Sequence, residues 1–286
     1  LKNMFMKQVK FFLVALMVLT SVSFTSCMKG EDNTVVPVFG IITLKSNFLQ
    51  CEFQVAGGGV TFVSNKTVES LMNANPGDIV FLSAQYDTET QPVDQSTSKI
   101  YVDVNFAVKI NGNVSTGSYD TEASKSLANR TIIPLSNYQG AVPSMYGSDW
   151  VVIPIPYYTE KYENISQHSF TLAYLKDEEV KNSTLKLHLY HNSLETIDKE
   201  KTVNVTYNSY EAYKAFNISS LVSSFKADNG GKTPQKIVVV TQEGSSSVEI
   251  TGENTDKYTE KEYNVEGYTA VSYTHLRAHE TVLDLV

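Results

Sequence analysis

His168, His188, His191, Asp87, Glu89, Asp94 and the two cysteines are the residues of this chain whose types and spacing could do chemistry. Histidines act together when they share a metal ion or relay a proton. His188 and His191 are three apart, which on a strand sends them to opposite faces, so one ion cannot take both without a bulge. His168 can join only one of them, and no Cys or carboxylate sits at ligand spacing beside that pair. His168 and His191 therefore read as structural residues, hydrogen-bonded at strand ends, and no metal site is expected. Asp87, Glu89 and Asp94 fall in one loop and could surround a calcium ion. The spacing lacks the glycine turn and the terminal bidentate acid of a dedicated calcium loop, so a solvated acidic loop is expected. No Gly-x-Ser-x-Gly elbow is present and no glycine-rich phosphate loop precedes a helix. Gly57-Gly58-Gly59 lies between two strand-like runs and reads as a turn. Neither catalysis nor a cofactor is expected from these residues.

Cys27 offers a different chemistry, acylation of its thiol. Residues 6–27 have the three parts of a secretory signal: Lys7 and Lys10 as a basic start, an apolar run over residues 11–19, and small residues before the cysteine. The run is about half the ~20 apolar residues needed to cross a bilayer core. Phe24-Thr25-Ser26-Cys27 resembles the lipobox of bacterial lipoproteins, with Phe24 where leucine is usual. The resemblance implies that Cys27 becomes a lipid-modified N-terminus labelled by palmitate, and several acyl chains hold a protein to a membrane stably where one would not. Residues 28–34 (MKGEDNT) are a polar tether that resembles the export tags of Bacteroidetes surface lipoproteins.

Charge narrows the partners. The chain carries 23 Lys+Arg against 31 Asp+Glu, a net charge of -8; the signal removes Lys2, Lys7 and Lys10 and no acid, leaving the exported part more acidic still. A basic face for nucleic acid or anionic lipid is therefore not expected. With Cys27 committed to lipid, Cys51 has no intramolecular partner and reads as a small buried core residue.

The elements that must position these groups are strands. Runs over residues 36–44, 48–56, 60–64, 79–86 and 100–110 are β-branched or alternating, with turn signals at Gly57–Gly59, Asn75-Pro76-Gly77-Asp78 and Asn111-Gly112, the last a strong hairpin signal. One short helix is expected over residues 67–74. Five strands in that length suit a small barrel of the OB type. Residues 115–130 are polar and read as a linker. Beyond it, residues 150–158, 169–175, 184–190, 202–207 and 236–241 read as strands of a β-sandwich. Pro154 and Pro156 place the first of these at an edge or in extended coil. Residues 210–225 fit a strand in their first half and a helical face in their second. The expected organisation is a signal peptide over residues 1–26, a tether over 27–34, an OB-like barrel over 35–114, a linker over 115–130, a β-sandwich over 131–254 and a disordered tail over 255–286. Residues 271–286 resemble translated adapter read-through, and their His275 and His279 enter no site argument.

The paired runs His168-Ser169-Phe170-Thr171-Leu172 and residues 185–192 (LKLHLYHN), with Pro76-Gly77-Asp78-Ile79-Val80 and Trp150, resemble the NigD-like lipoproteins of Bacteroidetes. The resemblance spans about residues 6 to 250. The turn before Trp150 and the presence of Tyr190 depart from the family pattern. It implies an all-β chain with a lipobox, an N-terminal OB-like domain and a C-terminal β-sandwich, and it implies no enzymatic activity or cofactor. The expected function is that of a lipid-anchored, non-catalytic interaction module of the outer membrane that meets an envelope protein or a glycan. The 17 tyrosines are candidate contact groups, although most are expected in the core. A second reading, from the family name, is a bacteriocin-associated immunity or protective lipoprotein.

Overall fold

The computed structural model describes residues 34–118, 128–138, 140–176, 178, 183–195, 208–244 and 258–270. The signal peptide, Cys27, the expected strand at 202–207 and residues 271–286 lie outside the described residues. The chain is all-β in two units.

The first unit is a closed barrel of β1 (Val35–Ser46), β2 (Glu52–Gln54), β3 (Thr61–Ser64), β4 (Ile79–Asp87) and β5 (Lys99–Lys109), in the order β1-β2-β3-β5-β4. β1 is long enough to serve two neighbours: Val35 to Thr43 pair with β4, and Thr43 to Ser46 with β2. Alternating residues point inward, and Leu44, Phe53, Leu71, Val80, Leu82 and Val102 are almost fully buried. Each such side chain contributes about 1.5–3 kcal/mol by leaving water. The expected helix over residues 67–74 is a single 3-10 turn, Glu69–Leu71, whose Leu71 enters the barrel core. Its N-cap, Val68, makes no side-chain cap hydrogen bond, so nothing at that end favours a longer helix.

The second unit contains β6 (Asn113–Ser118), β7 (Ser144–Tyr146), β8 (Trp150–Thr159), β9 (His168–Lys176), β10 (Thr184–Ser193), β11 (Asn208–Asn217), helix α1 (Ser219–Asp228), β12 (Lys236–Glu243) and β13 (Thr259–Asn264). A five-stranded sheet in the order β13-β12-β10-β9-β6 faces a three-stranded sheet in the order β11-β8-β7. Their shared core includes Ile153, Ile155, Leu172, Leu187, Phe216 and Val239, and α1 adds Leu221 and Phe225 to it. β6–β9 and β10–β12 are parallel pairs, so the sandwich is of mixed direction.

Several boundaries differ from those read in the sequence. The expected linker begins inside β6, which pairs with β9 from Asn113 to Ser118. As an edge strand it is largely exposed, so its residues carry no apolar alternation. Asn111-Gly112 makes no hairpin; it carries the chain from one unit to the other. Gly112 N–H donates to the Ala215 carbonyl at 2.8 Å, and a Cβ at Gly112 would run into the Phe216 ring. Residues 258–270 of the expected tail belong to the sandwich: β13 pairs with β12, and Val265 is buried in its core. β13 is charged and largely exposed, which hides it from a hydrophobic pattern. β8 pairs with β11 along its whole length but with β7 only at Trp150 to Val152. Pro154 and Pro156 thus lie where, among the described residues, one side of β8 has no strand, and the Pro156 carbonyl accepts the Ile133 N–H at 2.9 Å there.

Candidate functional site

A length mismatch opens one wall of the barrel. β3 has four residues and pairs in parallel with Lys99 to Val102, whereas β5 runs on to Lys109. Residues 103–109 therefore keep β4 on one side and, among the described residues, have no strand on the other. The connection of residues 66–70 runs beside this stretch, and a groove of about 520 Å³ lies between them. That size falls within the range of small-ligand sites. Phe106 is 54% and Val108 39% exposed at its rim. Among the described residues, the side chains of Lys66, Glu69 and Asn105, also lining the groove, make no hydrogen bond or ion pair. Its two hydroxyls are both donated to backbone carbonyls, Thr67 Oγ1 to Leu49 at 3.2 Å and Ser70 Oγ to Ala107 at 2.6 Å. The groove thus offers contact groups and no nucleophile held by a base.

The histidines converge elsewhere, inside the sandwich. His168 opens β9 and His191 lies near the end of β10; both are buried, with His168 Nδ1 2.8 Å from His191 Nε2. His191 Nδ1 lies 3.0 Å from the Thr131 carbonyl, which can only accept, so this nitrogen carries a proton. Neutral His191 must then accept at Nε2, and His168 donates from Nδ1. The remaining nitrogen, His168 Nε2, faces Glu195 Oε2 at 3.2 Å without a well-aligned hydrogen bond. Glu195 Oε1 accepts from the Glu160 N–H at 2.7 Å, Asn164 Nδ2 at 2.7 Å and Thr159 Oγ1 at 3.2 Å. Arg130, also buried, donates from Nη2 to the Glu195 backbone carbonyl at 2.7 Å.

Burial sets the charges of this cluster. It pushes His191 down to about 3, against the opposing pull of the Thr131 carbonyl. It also lowers His168, and the nearby Glu195 carboxylate only partly offsets this. Burial would raise Glu195, but donors from Asn164, Glu160 and Thr159 outweigh it and hold the carboxyl below its usual range. Tyr157, whose ring centroid is 4.8 Å from that of His168, is pushed up to about 12, mainly by burial. The cluster is enclosed, and it ties residues 129–131 and the turn after β8 to the β9–β10 hairpin.

His188 lies on the opposite face of β10, as its spacing from His191 requires, with Nε2 2.8 Å from Glu178 Oε2. In the acidic loop, Asp87 Oδ1 accepts the Glu89 N–H at 2.9 Å, and Asp94 Oδ1 accepts from the Ser96 N–H and hydroxyl at 2.9 and 2.7 Å. Among the described residues, the Glu89 carboxylate makes no hydrogen bond in either turn. Cys51 is buried, and burial pushes its thiol up. Tyr157, Tyr174 and Tyr190 are core residues, whereas Tyr101 and Tyr162 are exposed. Glu195 and Arg130 escaped sequence reasoning because Glu195 lies between the runs read as strands over 184–190 and 202–207, and Arg130 ends the stretch read as linker. Arg130 did carry a signal, as the only arginine before residue 277, two residues ahead of the apolar pair Ile132-Ile133.

No family model and no curated protein matches the chain. Among solved structures, a candidate lipoprotein from Bacteroides fragilis NCTC 9343 is 21% identical with a TM-score of 0.64, over 82% of this chain and all of the other. A protein of unknown function from Bacteroides vulgatus ATCC 8482 is 9% identical with a TM-score of 0.49, over 84% of this chain and 93% of the other. A NigD-like immunity protein from Bacteroides caccae ATCC 43185 is 11% identical with a TM-score of 0.45, over 82% of this chain and 99% of the other. The last bears the family name that the sequence resemblance gave, and both of these are too distant to add to the argument. The first shows that the chain has the all-β fold of that Bacteroides protein, the fold class expected from the sequence.

Proposed function

We propose that this chain is a lipoprotein anchored through Cys27 to the bacterial outer membrane, that it works by binding without catalysis, and that the groove beside β5 is its contact surface. The groove carries the reading. It places an exposed ring and an apolar side chain next to charged and amide groups that have no partner among the described residues, at a break in the barrel wall. Such a mixture suits recognition of an envelope protein or a glycan. A photo-crosslinking residue in place of Phe106, activated in intact cells, should give a discrete adduct that is absent when the probe replaces exposed Phe39. Palmitate should label the product, and Cys27→Ala should release it from the membrane. Loss of the adduct's specificity would remove the groove, and unlabelled, still membrane-bound protein would remove the anchor.

The strand motifs shared with NigD-like lipoproteins support a second reading, protection against a bacteriocin. Deletion should then sensitise cells to that toxin, and unchanged sensitivity would discard it.

A further inference from the structure

We infer that the free edge of β5 takes an extended polypeptide segment as an added strand, so that the ligand of the groove is a peptide read largely through its backbone. This deepens the binding role proposed above and rests on it. The direction of the backbone groups follows from two hydrogen bonds. Ile110 N–H donates to the Ile79 carbonyl, so Ile110 faces β4. By strict alternation Val108 and Phe106 also face β4, whereas Lys109 and Ala107 point their N–H and C=O groups into the groove. The Ser70 hydroxyl, bonded to the Ala107 carbonyl from the groove side, confirms that direction independently. Asn105 is the extra residue of a bulge, since Phe106 and Val104 oppose consecutive residues Ser83 and Ala84.

Natural proteins blunt free edges with bulges, charges or covering loops. Here Asn105 supplies a bulge and Ser70 caps one carbonyl, but among the described residues the N–H groups of Ala107 and Lys109 have no ladder partner. A strand entering between β5 and residues 66–70 would satisfy them, displace the Ser70 hydroxyl and bring alternate side chains against Phe106 and Val108. A glycan could use the ring and the polar groups, but it would not match the strand-like spacing of the backbone donors.

The test uses linear peptides of about ten residues, long enough to run the length of the free edge, selected from a phage-displayed random library against the full exported chain carrying Cys27→Ala. Selected peptides should shift the amide resonances of Asn105, Ala107 and Lys109 and slow exchange of the Ala107 and Lys109 protons. N-methylation of alternate peptide amides should weaken binding at least tenfold, and Phe106→Ala should weaken it several-fold. If N-methylated peptides bind equally well with β5 shifts intact, the strand inference falls and the groove survives as a side-chain site. Shifts confined to other regions, or a failure to enrich any peptide, overturn strand addition. The in-cell adduct from position 106 then decides separately whether the groove binds anything else.

Discussion

The barrel and the sandwich break the usual partition of polarity in opposite ways. At β5 the barrel leaves Phe106 and Val108 in solvent, whereas the sandwich encloses Arg130, His168, His191 and Glu195. Exposed apolar groups beside an unpaired edge cost little stability and offer contact. Buried polar groups are costly unless they are hydrogen-bonded; in this cluster all but His168 Nε2 are met, and such a network specifies one arrangement of the elements it joins. One region is built to meet something else; the other holds the chain to itself.

The largest effect that would break this contrast lies in the sandwich. Glu195→Ala removes the acceptor for the Glu160 N–H and Asn164 side chain, and should destabilise the protein by roughly 3 kcal/mol in urea unfolding. A loss below about 1 kcal/mol would mean the cluster is not a clasp. Acid should act on the same place. His191 titrates near 3 when folded and near 6.5 when unfolded, so between those values the unfolded chain binds more protons and stability falls as pH falls. Moving from pH 7 to pH 5 should cost about 2 kcal/mol through His191 alone. Urea midpoints that stayed flat over this interval would place a proton on the folded imidazole already.

The barrel surface should behave otherwise. Phe106→Ala should change stability by less than about 0.5 kcal/mol while lowering several-fold the in-cell adduct of a crosslinker placed at Val108. A larger stability loss would make Phe106 a packing residue and erase the distinction. The smallest effect is expected from Ser70→Ala, which uncovers the Ala107 carbonyl: unfolding should shift by a few tenths of a kcal/mol, and selected peptides should bind slightly more tightly.

How much could be read beforehand depended on whether a residue's neighbours were near it in the chain. β1, β4 and β5 alternate and bury one face, so their existence was legible, as were the turns at Gly57–Gly59 and Gly77. β6 and β13 are edge strands with little buried surface, and a pattern based on burial passes over them. Asn111-Gly112 carries the composition of a hairpin, but contact with Phe216, over a hundred residues away, decides its use. At the candidate sites the spacing of His188 and His191 gave the right faces. The partners Thr131 and Glu195 come from distant segments, and the free edge of β5 depends on β3 ending at Ser64, a boundary local propensity does not fix.

The passage from barrel to sandwich has a mechanical consequence. Ala215 N–H donates to the Ile110 carbonyl, Gly112 N–H donates back to Ala215, and Ile79, Ile110, Val152 and Ala215 pack together at this seam. With no slack at the joint, the two units should tumble in solution as one body, with a common rotational correlation time from nitrogen relaxation. A pull applied at the N-terminal end would then reorient the sandwich along with the barrel.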